Sequence, residues 1–232
     1  MARQPQRTIK SPQMKDRTRA RELAAEFHRK GDPIGWFEAL YREAEEGKST
    51  VPWVDYHPTA LLVSFWMANP LPAEGKSALV TGCGLGDDPE QLAAWGFRTT
   101  AFDISETAIR AVRKRFPSSK VDYHVANLLK PPSEWQGKFD FVFEANTLQV
   151  LPAQLRLPAM QNIVTFLRPK GFLLVVARAR EPHEPEGQMP WPLTRAELDS
   201  FKALGLEELQ FDIRPDVNEP DVRRFRILYR LP

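Results

Sequence analysis

The fold of this 232-residue chain is decided by the segment Ala78-Leu79-Val80-Thr81-Gly82-Cys83-Gly84-Leu85-Gly86-Asp87-Asp88. A short apolar run leads into three glycines at alternate positions, and a helical pattern begins directly after them. Glycines at such a turn let the backbone approach a ligand closely, and the N-terminus of the following helix offers free N–H groups. We therefore predict a ligand-binding loop here, formed by Gly82, Cys83, Gly84 and Gly86.

From residue 77 onward, short apolar runs alternate with amphipathic helical patterns, and two apolar runs close the chain without a helix between them. Such alternation is typical of parallel strands covered by helices on both faces. The sequence therefore predicts an α/β, Rossmann-like fold with a seven-stranded, mostly parallel sheet and a C-terminal antiparallel hairpin. The predicted strands are 77–81, 97–102, 120–125, 139–144, 172–177, 207–213 and 224–229, and the predicted helices are 87–95, 105–116, 153–167 and 194–204.

The first third of the chain has a different pattern, because it shows helical periodicity without strands. We expect three regions: a disordered basic tail over 1–13, an N-terminal helical lid over 14–74 and a ligand-binding domain over 75–232. The predicted lid helices are 14–30, 34–46 and 59–68.

Three acidic residues indicate which ligand the glycine loop binds. Asp103 ends the second predicted strand, where a carboxylate can accept hydrogen bonds from the ribose hydroxyls of a nucleoside. Asp87 and Asp88 stand where a dinucleotide would place its pyrophosphate, and carboxylates repel such an anion. They suit a ligand with an ammonium group, although Asp87 can also cap the helix. The sequence therefore favours S-adenosylmethionine, which carries an adenosine, a sulfonium and an amino-acid tail.

From about residue 75 to the C-terminus, the chain resembles the class I S-adenosylmethionine-dependent methyltransferases. The glycine loop resembles the first motif of that family, and Asp103 resembles its ribose-binding acid. The segment Ala126-Asn127-Leu128-Leu129 resembles the stretch that holds the adenine. The resemblance implies further cofactor contacts from Ile104, Asn127 and Leu128.

Two positions depart from the family pattern. Many members carry an acid two residues before the first glycine, where this chain has Val80, and Pro169-Lys170-Gly171 is one glycine short of the usual turn. Without the upstream acid, the amino group of the cofactor has to be held in another way. Asp87 and Asp88 are therefore the residues expected to hold that amino group.

Within the class, the chain looks closest to the thiopurine methyltransferase-like branch of small-molecule enzymes. Val51-Pro52-Trp53-Val54-Asp55 is similar to the Pro-Trp-Asp loop of that branch, with one residue inserted. The segment over 144–152, from Glu144 to Leu151-Pro152 and followed by Arg156, is similar to its glutamate-led segment. The resemblance implies a small-molecule acceptor, with a thiol, a selenol or a related nucleophile as the group methylated.

Methyl transfer from a sulfonium needs alignment and exclusion of water more than it needs a reactive side chain. Glu144, at the end of the fourth predicted strand, is the candidate catalytic residue and a candidate cofactor contact; a purely structural carboxylate is the alternative. Trp53 is expected near the sulfonium through cation–π attraction. Cys83 is not expected to be a nucleophile, because it lies inside the glycine loop. The predicted acceptor pocket consists of Tyr56, His57, Asn146, Thr147 and Trp191.

The composition of the chain bears on its partners, its metal content and its location. The 32 basic and 30 acidic residues give a net charge of +2, which argues against a nucleic-acid partner. A single cysteine excludes a multi-cysteine zinc site, and no metal site is predicted. Because no signal sequence and no membrane-length apolar run is visible, we expect a cytoplasmic protein that does not enter a membrane. A monomer and a homodimer both stay open.

Two alternative functions also stay open. One is a non-catalytic regulatory protein that binds S-adenosylmethionine. The other is a nicotinamide-dependent oxidoreductase, against which the glycine spacing and the pair Asp87 and Asp88 both argue.

Overall fold

The structure is a computed structural model that describes residues 16–232. The predicted tail over 1–13 and the first residues of the predicted first helix lie outside this part of the chain. In the described part, no helix is long and apolar enough to span a membrane. The helices are α1 Thr18–Arg29, α2 Trp36–Glu45, α3 Ala60–Ala68, α4 Asp87–Ala94, α5 Glu106–Arg115, α6 Ala153–Phe166, α7 Arg195–Leu198 and α8 Ser200–Ala203. The strands are β1 Ser77–Thr81, β2 Arg98–Asp103, β3 Asp122–Val125, β4 Phe139–Ala145, β5 Leu167–Arg178, β6 Glu207–Pro215 and β7 Arg223–Arg230.

The seven strands form one sheet in the order β3-β2-β1-β4-β5-β7-β6. Strands β1 to β5 run parallel, and β7 runs antiparallel to both of its neighbours. This confirms the predicted mostly parallel sheet with an antiparallel C-terminal hairpin. The register places Thr81 between Phe102 and Glu144 on the two adjacent strands. Gly82 and Asp103, which follow directly, therefore meet at the same edge of the sheet.

Each face of the sheet is covered by its own hydrophobic core, as the alternation of strands and helices predicts. One core contains Phe65 of α3, Leu92 of α4 and Val112 of α5. The other contains Met160 of α6 and Phe201 of α8. Helix α3 thus packs on the sheet itself, although it belongs to the region predicted as a lid.

Helices α1 and α2 cover the edge of the sheet where the parallel strands end. They share a third apolar cluster, which contains Trp36 and reaches Met189 in the loop after β5. Glu38 of α2 accepts hydrogen bonds from Ser105 Oγ (2.6 Å) and Thr107 Oγ1 (2.7 Å) at the start of α5. These bonds hold α2 beside the end of β2.

The C-terminal helical region differs in one respect from the prediction. The single helix expected over 194–204 is divided at Asp199 into α7 and α8. Its predicted capping box is confirmed, because Thr194 Oγ1 accepts from the N–H of Glu197 while the Glu197 carboxylate accepts from the N–H of Thr194. The sequence therefore predicted the cap of this helical region, but it did not predict the break at Asp199.

Candidate functional site

Two adjoining cavities open at the carboxyl ends of the parallel strands, where α/β proteins bind their ligands. The larger, here called the main cavity, has an empty volume of about 1140 Å³ including its open mouth. The smaller, here called the side cavity, measures about 890 Å³ on the same basis and lies against the glycine loop. The residues that line both cavities are Trp53, Asp55, Gly82, Ala145, Asn146 and Arg224.

The glycine loop turns directly beside Asp103. The N–H of Gly84 donates to Asp103 Oδ2 (3.0 Å), and the N–H of Ser105 donates to Oδ1 (2.9 Å). Asp103 also lines the main cavity, so the lone pairs that these bonds leave can accept from the two hydroxyls of a ribose. Gly82 has a positive φ of 59°, and a Cβ there would lie 2.4 Å from Thr147 Oγ1, so the turn requires glycine.

The residues predicted to surround the adenine come together on the main cavity. Ile104, Asn127 and Leu128 all line it. Asn127 Oδ1 accepts from the N–H of Leu129 (2.8 Å), which fixes the side chain and leaves its amide nitrogen as the group available to a ligand. These residues form an apolar slot with one polar group, as a purine site requires.

Gly86 does not reach either cavity, although the sequence places it among the cofactor contacts. Its φ is 90°, and a Cβ there would lie 2.2 Å from Val112 Cγ2 and 2.7 Å from Tyr123 Oη. Gly86 is therefore needed where α4 packs closely against α5 and β3.

Asp87 and Asp88 both line the side cavity, but they have different partners. Asp87 forms a two-pronged ion pair with Arg115 (2.6 and 2.8 Å), which neutralises its charge. Asp88 accepts from the N–H and the hydroxyl of Thr59 (2.6 and 2.9 Å). Burial raises the pKa of Asp88 to about 6. Of the two, Asp88 is the carboxylate whose charge remains available to a cationic group.

Cys83 lies on the side cavity, within the loop. Burial, followed by the negative charge of Asp103, raises the pKa of the Cys83 thiol well above its ordinary value. A thiol held in the protonated form is a poor nucleophile, which agrees with the sequence-based rejection of a catalytic cysteine.

Glu144 is fully buried and lines neither cavity. Its Oε1 accepts from the N–H groups of Thr147 (2.8 Å) and Leu148 (3.0 Å), while Oε2 has no partner in the described part of the chain. Burial raises the pKa of Glu144 to about 7. The structure thus places the Glu144 carboxylate behind the turn that carries Thr147 and away from both cavities.

Trp53 lines both cavities, as its predicted position near a sulfonium requires. Its Nε1 donates to Tyr41 Oη (2.9 Å), and its ring meets the Tyr41 ring edge to face. Tyr41 also lines the main cavity, close to Gly84. The sequence analysis did not identify Tyr41, because helical spacing presents it only as an apolar position.

The other predicted pocket residues are distributed unevenly. Asn146 lines both cavities, Thr147 lines the main one and His57 lines the side one. Tyr56 lines neither; it is largely exposed, with its ring against the Arg115 guanidinium. Trp191 also lies outside both cavities and packs against Arg156.

Strands β5 and β7 contribute a polar wall that the sequence analysis missed. Asn146 Oδ1 accepts from Arg224 Nη1 (2.5 Å) and from Gln149 Nε2 (3.1 Å). Gln149 Oε1 in turn accepts from the backbone N–H of Arg178 (2.6 Å). These four residues all line the main cavity. Because both bonds occupy Oδ1, the amide nitrogen of Asn146 is left to face a ligand.

The known proteins that this chain resembles include several methyltransferases. Residues 78–171 match the family described as Methyltransferase domain. Thiocyanate methyltransferase 1 of Arabidopsis thaliana is 24% identical over 81% of this chain and 82% of its own. Ubiquinone biosynthesis O-methyltransferase of Aromatoleum aromaticum is 35% identical, over 38% of either chain. A similar solved structure is that of the N-methyltransferase NodS from Bradyrhizobium japonicum in complex with S-adenosylhomocysteine. It superposes on this chain with a TM-score of 0.64 at 20% sequence identity. The match covers 84% of this chain and 99% of NodS.

The sheet topology, the glycine loop with Asp103 and the methyltransferase domain matched over residues 78–171 support a class I S-adenosylmethionine-dependent methyltransferase. Its cofactor is S-adenosylmethionine. The nicotinamide alternative is not favoured.

Proposed function

We propose that this enzyme transfers the methyl group of S-adenosylmethionine to a small-molecule acceptor whose nucleophilic atom is a thiol sulfur or a related soft atom. The observation that carries the proposal is the junction of the two cavities at Gly82 and Asn146. A cofactor whose ribose lies on Asp103 and whose amino-acid tail lies in the side cavity would present its sulfonium methyl at that junction. The main cavity then continues beyond it and offers room for a small acceptor.

The choice of a sulfur nucleophile is supported by two independent features. One is the similarity over 81% of the chain to a protein named thiocyanate methyltransferase. The other is that Glu144, the catalytic residue predicted from the sequence, lines neither cavity. A thiol ionises without a strong base, since its ordinary pKa is about 8.5, so it needs no such residue.

The bound cofactor supplies an activated methyl group on a positively charged sulfur. The chain's own residues supply position and shielding. Asp103 would hold the ribose, and Asp88 would face the ammonium group of the amino-acid tail from the side cavity. Trp53 and Tyr41 would close the site from the lid side and exclude water from the sulfonium.

The test is turnover with a panel of small thiols, assayed by formation of S-adenosylhomocysteine, with 4-nitrophenol and benzylamine as oxygen and nitrogen acceptors. The proposal predicts that thiols are methylated with the highest kcat/KM. Preferred methylation of the phenol or the amine would contradict the choice of acceptor atom. Binding of S-adenosylmethionine without turnover of any acceptor would favour the regulatory alternative.

We further propose a cytoplasmic location, which the single cysteine supports, since a chain with no disulfide partner for it needs no oxidising compartment. Fractionation of cells that produce the protein would test it. Recovery in a secreted or membrane fraction would contradict it.

A further inference from the structure

Three arginines, Arg17, Arg178 and Arg224, line the main cavity, the last two from the wall formed by β5 and β7. Arg178 Nη2 donates to Glu219 Oε2 (2.6 Å), and the same carboxylate accepts two hydrogen bonds from Arg17 (3.0 and 2.6 Å). One carboxylate therefore serves two guanidinium groups. Their side chains are only 12% exposed, so solvent screens this charge weakly.

Arg178 shares the carboxylate of Glu219 with Arg17 and also lies near the charge of Arg224. Burial and the positive charges of Arg17 and Arg224 lower the pKa of the Arg178 guanidinium in spite of Glu219. Arg224 is itself paired with Asp216 and bonded to Asn146. A buried cation that shares its carboxylate with a second cation is costly, and an anion that enters the cavity would lower that cost.

The guanidinium of Arg178 lies at a different place in the main cavity from the junction where the methyl group would be presented. Asn146 lines both cavities and so marks their junction, whereas Arg178 lines the main cavity alone. Gln149 lies between them, bonded to Asn146 on one side and to Arg178 on the other. An acceptor that uses both places must therefore carry its nucleophile and its negative charge on different atoms. A single small ion such as thiocyanate would occupy only one of them.

We propose that the acceptor is a thiol that also bears a carboxylate, with its sulfur beside Asn146 and its carboxylate on the guanidinium of Arg178. The planar, two-pronged donor set of arginine matches a carboxylate, and this distinguishes the wall from a general attraction for anions. The inference rests on the proposed function, since it concerns the acceptor end of the same site.

The reaction balances without a base on this wall. The thiol releases its proton to solvent, and a lone pair of the thiolate forms the new sulfur–carbon bond. The bond between the methyl carbon and the sulfonium sulfur breaks, and its electron pair neutralises that sulfur, so that S-adenosylhomocysteine leaves. The acidic residue at the junction, Asp55, lies on the loop that carries Trp53 and not on this wall.

The first experiment compares 3-mercaptopropionate with its methyl ester, which keeps the thiol and removes the charge. We expect the acid to have the higher kcat/KM by about 10- to 100-fold, as the loss of a charged hydrogen bond implies. Arg178→Gln should reduce this ratio to near one, mainly through KM. Arg223→Gln is the matched control: Arg223 is on β7 beside Arg224, pairs with Glu184 outside both cavities, and should leave the ratio as in the wild type.

The second experiment measures binding without chemistry. We expect 3-(methylthio)propionate to bind the complex of the enzyme with S-adenosylhomocysteine in calorimetry, and Arg178→Gln to weaken that binding by a similar factor. Arg178→Lys keeps the charge but loses the planar donor pair, so an intermediate affinity is expected. Retained S-adenosylhomocysteine affinity in each variant shows that the fold is intact.

Equal kcat/KM for the acid and the ester would overturn the inference, and so would a preference that survives Arg178→Gln or faster methylation of thiocyanate than of the acid. In each of these cases methylation of a sulfur acceptor would still stand. Failure to methylate any thiol, with S-adenosylmethionine bound, would instead overturn the proposed function on which the inference rests.

Discussion

The packing role of Gly86 leads to a prediction whose size follows from the structure. In Gly86→Ala the new Cβ would lie 2.2 Å from Val112 Cγ2 and 2.7 Å from Tyr123 Oη, whereas favourable carbon contacts are about 3.5–4.0 Å. Val112 is fully buried in the core, so it cannot move away freely. Overpacking of this kind costs about 1–3 kcal/mol. The left-handed backbone costs an alanine about 1–2 kcal/mol more.

We therefore expect Gly86→Ala to lower the free energy of unfolding by about 2–5 kcal/mol, measured by urea denaturation. Gly75→Ala is the matched control, because Gly75 also has a positive φ (71°) but nothing lies within 4 Å of its Cβ position. It should lose only the backbone contribution of about 1–2 kcal/mol. The difference between the two variants isolates the steric clash.

The same pair of variants tests whether Gly86 touches the cofactor. Our account predicts that folded Gly86→Ala binds S-adenosylhomocysteine less than about tenfold more weakly than the wild type, since Gly86 lines neither cavity. Wild-type stability together with abolished binding would refute the reasoning. In that case the residue would contact the cofactor, as the family motif implies.

Three further predictions concern carboxylates. Burial raises the pKa of Glu144 from 4.5 to about 7, so between these pH values the native state keeps a proton that the unfolded chain releases. The free energy of unfolding should therefore fall by about 3 kcal/mol from pH 4.5 to 7. Urea denaturation of Glu144→Gln should not show this fall. If the free energy of unfolding depended on pH in the same way in the wild type and in Glu144→Gln, this prediction would be wrong. Asp88, whose pKa is raised to about 6, must be ionised to pair with an ammonium group, so S-adenosylhomocysteine affinity should drop below pH 6 in the wild type but not in Asp88→Asn. Equal wild-type affinities at pH 5 and 7.5 would exclude this role. Glu38→Gln should speed S-adenosylhomocysteine dissociation about tenfold, because the charged bonds from Ser105 and Thr107 to Glu38 hold α2 beside the end of β2. An unchanged dissociation rate in stopped-flow would contradict this role of Glu38.

The fold could be predicted because its signals are local. Alternating strand and helix periodicities, the glycines around Gly82 and the capping pair Thr194 and Glu197 each lie within a few residues of one another, and they determine the sheet and its ligand edge. Asp103 could be placed for the same reason, since it directly follows a strand adjacent to the glycine loop.

The site was less predictable, because its charges are paired by residues distant in sequence. Asp87 is neutralised by Arg115, which lies 28 positions away, so a pattern of adjacent acids does not reveal which one keeps its charge. Glu144 ends a parallel strand as a catalytic residue would, yet its side chain turns into the core. Arg178 and Arg224 could have been found, because Arg178 ends β5 and Arg224 is the second residue of the antiparallel strand β7, directly opposite it at the ligand edge.

The central claim is that the glycine loop and Asp103 hold S-adenosylmethionine. The most direct test is calorimetric titration of the full-length protein with S-adenosylhomocysteine, for the wild type, Asp103→Ala and Asp122→Ala. Asp122 is an exposed acid at the opposite end of the neighbouring strand β3 and serves as the control. We predict that the wild type and Asp122→Ala bind alike, and that Asp103→Ala binds at least about 100-fold more weakly, because two charged hydrogen bonds to the ribose are lost. Undiminished binding by Asp103→Ala, or no binding by the wild type, would contradict the account.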